Sequence, residues 1–307
     1  MTKQTLEEAA KTACLQIGID YKDVPSDGNF HPANISDDPR GKGDGRLKLF
    51  PDRQGAIAWN HKSGEKQTFF INRNKGVPIS SEEKERIRKE KHRRKKGLKA
   101  RQDKAAKRAQ VIWKNAKPAP PDHPYLLTKH VLPYFTRQAS WDKSILGSDG
   151  QWKKITLDNV LLIPLFNEAG GLRNLQAIFP EMHPELDRNK DFLAGAELSG
   201  LFSWVGNRTD TLAVVEGMAT AFTIHQETGF RCYIAFTANN LLAVGQIIRK
   251  HLPTSKIIFC ADNDKNTKGN PGITKATEAA AIVGGFVASP PLAGDFNDYY
   301  NYLQEVK

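Results

Sequence analysis

Cysteine is scarce in this chain. Its 307 residues hold three, Cys14, Cys232 and Cys260, far apart and without a CxxC pair. That spacing excludes a zinc ribbon and a disulfide framework, and it fits a reducing compartment. Long apolar runs are also missing. None approaches the roughly 18 residues of a membrane span, so a transmembrane reading fails and no membrane partner is expected. The opening MTKQTLEEAAKTACLQIG is acidic early and lacks a basic stretch followed by an apolar core, so a secretory signal is not expected. No GxxxxGK[ST] string occurs, which excludes a P-loop motor in this chain.

What the chain has in excess is positive charge, with 45 Lys and Arg against 34 Asp and Glu. The distribution says more than the sum. Residues 81–110 hold 14 Lys/Arg and 5 Asp/Glu, so one element carries +9 of the net +11. A basic surface favours polyanions, and Arg93, Arg94, Lys95 and Lys96 are its densest run, hence the candidate nucleic-acid contacts. A solvated charged spacer is the competing reading of the same residues.

Four regions follow from pattern. Residues 1–79 read as a small α+β module. Helical apolar spacing runs from Thr5 to Ile17, and three short strands, Leu47–Phe50, Ala56–Asn60 and Gln67–Ile71, form a meander broken by glycine-containing turns. Trp59, Phe69 and Phe70 are candidates for stacking on bases, although strand spacing makes core packing the commoner role. Residues 80–117 predict one long basic helix. Ser80 and Glu83 supply a capping box, and Pro118 and Pro120 close its far end. Its apolar stripe strengthens from Leu98 through Ala105, Ala109, Ile112 and Trp113, which predicts an exposed first half and a docked second half.

Residues 118–205 predict a mixed α+β region. It has a short helix at His123–Leu127, a buried strand at Val160–Phe166 and a partner strand at Leu172–Phe179. Shorter extended pieces follow at Asp191–Leu193 and Leu201–Val205. From 206 to 307, apolar strands alternate with helices of ten or so residues. That pattern implies βαβ units and a parallel sheet covered on both faces.

The chemistry-bearing residues sit at the ends of two of those strands. Glu216 follows Leu212-Ala213-Val214-Val215 at once, with Gly217 expected to let the chain turn sharply into a helix. Asp262 and Asp264 follow Ile257-Ile258-Phe259-Cys260-Ala261 in the same manner. In open parallel sheets, functional groups gather beyond the carboxyl ends of the strands. Carboxylates clustered there repel one another, and a hard divalent cation offsets that repulsion. Mg²⁺, or Mn²⁺, is therefore expected on Asp262 and Asp264, with Glu216 either completing the metal shell or acting as general base. Asp295 and Asp298, in Gly294-Asp295-Phe296-Asn297-Asp298, are further metal candidates, with capping of the last helix by Asp295 or Asn297 as the alternative.

On these residues the last hundred positions resemble the TOPRIM family, whose pattern is a strand-end Glu followed by a strand-end DxD. The string Glu216-Gly217-Met218-Ala219-Thr220-Ala221 is similar to the EGYATA motif of primases from conjugative plasmids and satellite phages, with Met218 in place of Tyr. Upstream, Ile163-Pro164-Leu165, Leu175-Gln176 and Lys190-Asp191-Phe192-Leu193 resemble the basic subdomain before the TOPRIM fold in bacterial replicative primases. The fold class expected is thus α/β: a TOPRIM-type parallel sheet, preceded by a basic subdomain, a long basic helix and a small N-terminal module without zinc.

The resemblance implies a DNA primase, a metal-dependent nucleotidyltransferase making short primers in plasmid, phage or mobile-element replication. Single-stranded DNA template, nucleoside triphosphates and a separate replicative helicase are its implied partners, and the cytoplasm of a bacterial host its implied location. Carried over from the family, Lys190 contacts nucleotide phosphate, with Arg173 as a second candidate. Two alternatives stand beside it. One is a TOPRIM nuclease using the same acids; the other is a non-catalytic single-stranded-DNA-binding or helicase-loading protein.

Overall fold

The computed structural model describes residues 5–36, 43–61, 63–71, 81–146, 151–184, 186, 188–267 and 269–306. Ser80 of the expected capping box lies outside them. The chain divides into two compact units, Met1–Ile87 and Arg88–Lys307.

In the first unit, helix α1 (Leu6–Gln16) starts at Thr5, whose hydroxyl accepts the Glu8 N–H while the Glu8 carboxylate accepts the Thr5 N–H. It buries Leu6, Ala10, Ala13 and Cys14 against a four-stranded antiparallel sheet. The strands are β1 (His31–Ala33), β2 (Gly45–Leu49), β3 (Gly55–Asn60) and β4 (Lys66–Phe70), in that spatial order. The expected meander is therefore extended by a fourth strand, whose three residues are too short to show a period. Leu47, Leu49, Ala56 and Ala58 face the helix. Alternation then sends Arg46, Lys48, Ile57 and Trp59 to the other face.

Helix α2 (Ser81–Asn115) runs from the first unit into the second. Its second half docks as expected, burying Ala105, Ala106 and Ala109, whereas Leu98 is exposed. After β5 (Lys117–Pro118) and α3 (Pro124–Lys129) come the long strands β6 (Arg137–Leu146), β7 (Trp152–Phe166) and β8 (Leu172–His183), then β9 (Arg188–Phe192). They form an antiparallel sheet in sequence order. Its apolar half is sandwiched. Val160, Leu162, Leu175 and Ala177 meet Ala109 of α2 on one face, and Leu161, Ile163, Leu165 and Ile178 join a second core on the other.

That second core belongs to the sheet that carries the site. Its strands are β10 (Ser203–Val205), β11 (Thr211–Val215), β12 (Arg231–Ile234), β13 (Lys256–Cys260) and β14 (Phe286–Ala288), ordered β10-β12-β11-β13-β14. All neighbours are parallel except the edge strand β10. Sequence pattern groups residues 201–205 with the preceding region; in the structure β10 pairs with β12 and extends the later sheet. Period-2 alternation splits the apolar strands cleanly. Ala213, Val215, Cys232, Ile234 and Cys260 face one core, and Leu212, Val214, Ile257 and Phe259 the other. Helix α4 (Met218–Thr228) covers the first face; α5 (Leu241–His251) and α6 (Pro271–Val283) cover the second. The closing helix α7 (Phe296–Glu305) packs on α4. Each fully buried Val, Leu or Phe contributes about 1.5–3 kcal/mol relative to exposure, so two-sided burial holds the strand ends firmly.

Candidate active site

The rim of acids sits where β11 and β13 end side by side. Val215 pairs with Cys260 in parallel register, so Glu216 leaves β11 level with the start of the 261–264 turn. Gly217 takes φ −101° and ψ 150°, an extended geometry open to any residue. The sharp turn into α4 forms as expected, with Gly217 as its N-cap, but it does not depend on glycine. A side chain there would meet only the Thr220 hydroxyl, at 3.4 Å.

The 261–264 turn is built from asparagine. Asn263 exchanges backbone hydrogen bonds with Gly294 at 2.9 and 3.1 Å, and its side-chain amide donates to Pro290 O at 3.1 Å. This ties the turn to the loop carrying Asp295 and Asp298. Asn270, itself at φ 41°, accepts the Asp264 N–H on its Oδ1 at 2.9 Å and donates from Nδ2 to Asn263 Oδ1 at 3.2 Å. The Asp264 carboxylate accepts the Gly272 N–H at 3.1 Å, at the first turn of α6. Gly272 is required for that approach, because a β-carbon would stand 2.4 Å from Asp262 O.

The acids differ in what already holds them. Glu216 Oε1 is buried without a hydrogen-bond partner, and the backbone N–H of Ala238 favours the charged form of the carboxylate. Burial, with the charges of Asp262 and Asp264, pushes Glu216 up to about 8. Asp262 Oδ1 is likewise buried and unpartnered. Burial pushes Asp262 up to about 7, with Asp295, Asp264 and Asp298 adding and Lys190 opposing. Six sequence-selected residues therefore share one electrostatic field.

They do not all turn toward one point. Among the described residues, no three Asp, Glu, His or Cys side chains converge into a ready-made metal cage. Asp295 caps α7, accepting the N–H groups of Asn297 at 2.7 Å and Asp298 at 2.9 Å, and Asp298 returns the bond to the Asp295 N–H at 3.2 Å. Asp298 also pairs with Lys129 at 3.0 Å. Capping by Asp295, one of the sequence alternatives, is what the structure has, and Asp298 completes the capping box. The residues most suited to a hard cation are Glu216 and Asp262, whose buried, unpartnered oxygens lack any donor, with Asp264 beside them.

Lys190 projects from β9, exposed, with its charge acting on Asp262. Its neighbour Asp191 is buried and anchors the strand, accepting from Lys143 at 2.5 Å, Arg188 at 3.0 Å and Trp141 Nε1 at 3.3 Å. Arg173 is already engaged, paired with Asp103 at 2.7 Å and with Glu197. Arg93, Arg94, Lys95 and Lys96 are exposed on the first half of α2, away from the rim's hydrogen bonds. Two contributors escape pattern reading. One is Ala238, in the Ala238–Asn240 turn after β12, which acts through its backbone N–H. The other is Phe236, a buried residue at φ 68° that packs edge-on against Phe192 of β9, with ring centroids 6.1 Å apart. Neither position carries a reactive side chain, so only the fold reveals them.

Residues 210–289 match the family model described as the Toprim domain. Two curated relatives are both described as DNA primase TraC of Escherichia coli. One is 31% identical over 153 residues, 47% of this chain and 14% of that protein. The other is 27% identical over 312 residues, 97% of this chain and 20% of that protein. The chain thus spans about a fifth or less of the curated relatives it matches. Among solved structures, the RNA polymerase domain of Mycobacterium tuberculosis primase DnaG aligns with a TM-score of 0.44 at 16% identity, over 69% of this chain and 81% of that one. A DNA primase domain from Pseudomonas aeruginosa aligns with a TM-score of 0.44 at 11% identity, over 64% and 74%. Residues 210–289 are a Toprim domain, in a chain homologous to DNA primase TraC.

Proposed function

We propose that this chain is a DNA primase that joins nucleotides on a single-stranded DNA template by metal-dependent nucleotidyl transfer. The observation carrying the reading is the pair of buried, unpartnered carboxylate oxygens on Glu216 and Asp262 at the ends of neighbouring parallel strands. Similarity to DNA primase TraC over 97% of the chain supports it. Glu216, Asp262 and Asp264 would hold Mg²⁺ or Mn²⁺. When bound, such a cation neutralises charge on the transferred phosphate and its pyrophosphate leaving group.

The chain's own residues do the rest by position. Asn263 and Asn270 fix the turn so that Asp262 and Asp264 stay in place without rearrangement. Lys190, on the facing edge of β9, meets the phosphates of the incoming nucleoside triphosphate. Asp191 keeps that strand seated. Arg173, spent on two ion pairs, is left out of the nucleotide site. The exposed run Arg93–Lys96 supplies phosphate contacts along the template.

The N-terminal module fits a template-binding role by itself. On the sheet face away from α1, Trp59 stacks on His61 at 4.0 Å, Lys66 lies over the Trp59 ring at 5.8 Å and Lys48 over Phe30 at 5.5 Å. Basic and aromatic side chains interleaved on an open sheet face suit single strands. Phe69 instead packs against the module's core, and Phe70 is exposed near Phe50.

The test is primer synthesis on single-stranded DNA with labelled nucleotides and each metal. Asp262→Ala and Asp264→Ala are expected to abolish product while template binding persists. Strand cleavage without nucleoside triphosphates would instead identify the nuclease, and unchanged function in both variants would identify the binding protein.

A further inference from the structure

At the opposite end of the parallel sheet, by the amino ends of its strands, lies a cavity of about 300 Å³. Its walls come from the edge strand β10, the start of β12, the end of α5 and the 167–170 turn. Register places it away from the acids: Arg231 pairs with Leu212, at the beginning of β11, whereas Glu216 follows the end of that strand.

Three observations converge on its chemistry. The walls are largely apolar and aromatic, with Phe202, Trp204, Tyr233 and Ile247 lining them. The Arg231 guanidinium lies over both the Trp204 and Tyr233 rings, 5.3 and 5.1 Å from their centroids, and its Nε is buried without a hydrogen-bond partner. Arg208 lines the same cavity and, like Arg231, forms no ion pair among the described residues. The other charged groups cancel: Glu168 pairs with Lys250 at 2.6 Å and His251 at 2.9 Å. Two arginines thus line the cavity without an ion pair among the described residues, one of them lying over two neighbouring aromatic rings. Arginine in a fixed planar pose suits phosphate, and apolar walls of this volume suit an organic ring more than a bare inorganic anion.

We propose that this cavity binds a nucleotide unit, its phosphate on Arg208 and Arg231 and its base against the aromatic wall, at a site separate from the acidic rim. The unit is supplied either as a free mononucleotide or as one residue of a single strand, and the experiment separates these sources.

Binding of AMP and of a ten-residue oligodeoxyadenylate is measured by calorimetry on the whole chain in EDTA. An 8-azidoadenosine 5′-monophosphate photoprobe is then mapped by mass spectrometry. Arg208 is exposed, so Arg208→Glu should leave the fold intact; Arg231→Met keeps an apolar stem over the rings. The expected result is at least a tenfold loss of affinity in both variants, with Asp262→Ala unaffected and the photoprobe on peptides containing Trp204 or Tyr233. Loss for AMP identifies the free nucleotide as ligand. Loss confined to the oligonucleotide identifies the strand. Unchanged affinity for both probes in folded Arg208→Glu and Arg231→Met, or labelling only elsewhere, overturns the proposal.

Discussion

Asp262 and Asp264 stand two residues apart, yet they begin from different states. Asp264 is fixed by the Gly272 N–H, whereas Asp262 keeps a buried oxygen with no partner. Glu216 shares that condition, and its raised position has a stability consequence with a definite sign. The folded chain holds a proton on Glu216 up to about pH 8, while the unfolded chain releases it near the ordinary value of 4.5. Between those values the folded state binds more protons, so this contribution is present at low pH and is lost as pH rises from 4.5 to 8. Glu216→Gln removes the charge and the slope. In EDTA the variant should be more stable than the parent at pH 8 by about 1–3 kcal/mol, and nearly equal at pH 5. Urea melts at the two pH values check this; equal differences at both would contradict it. A second expectation concerns Gly272. Gly272→Ala puts a β-carbon into the Asp262 carbonyl, so the turn must shift and primer synthesis should fall at least tenfold even if the protein remains folded.

At the scale of elements, α2 divides into a docked half and an exposed basic half. Replacing Arg93, Arg94, Lys95 and Lys96 together by Gln should weaken single-stranded DNA binding and flatten its salt dependence. The slope falls by about 0.7 for each phosphate that the variant no longer neutralises, and an unchanged slope would make the run a solvated spacer. The elements of residues 206–307 were legible because two-sided burial writes continuous apolar strands such as Thr211–Val215 and Lys256–Cys260 into the sequence. Strand β6 and the first half of β7 were not. Their apolar alternation is short and diluted: Ile155 and Leu157 are only half-buried between exposed Lys154, Thr156 and Asp158, and Lys143 interrupts the run between buried Trp141 and Ile145. At Gly217 the turn into α4 was legible, but its backbone is one that any residue adopts, so glycine is not what makes it.

Over the whole molecule, the acids were legible as strand-end residues, but their environment was not. That Asp295 and Asp298 cap α7, that Arg173 is paired, and that an asparagine lattice holds the turn all depend on how the folded backbone and side chains meet, which no local pattern records. Thiol chemistry reports on the integrity of these packed cores. Cys14, Cys232 and Cys260 are buried, and burial raises all three, Cys14 to about 11 and Cys260 to about 12. Ellman's reagent at pH 8 should find no thiol in the native chain and three in denaturant, and rapid native labelling would contradict the packing described.

The central claim is that the acids at the ends of β11 and β13 join nucleotides on a DNA template. Its most direct test is labelled-nucleotide incorporation on single-stranded DNA by the folded chain, with Mg²⁺, with Mn²⁺ and with EDTA. The account predicts short template-dependent products with a divalent cation, lost in EDTA and in Asp262→Ala. Absence of product with both metals, or product undiminished in Asp262→Ala, would contradict it.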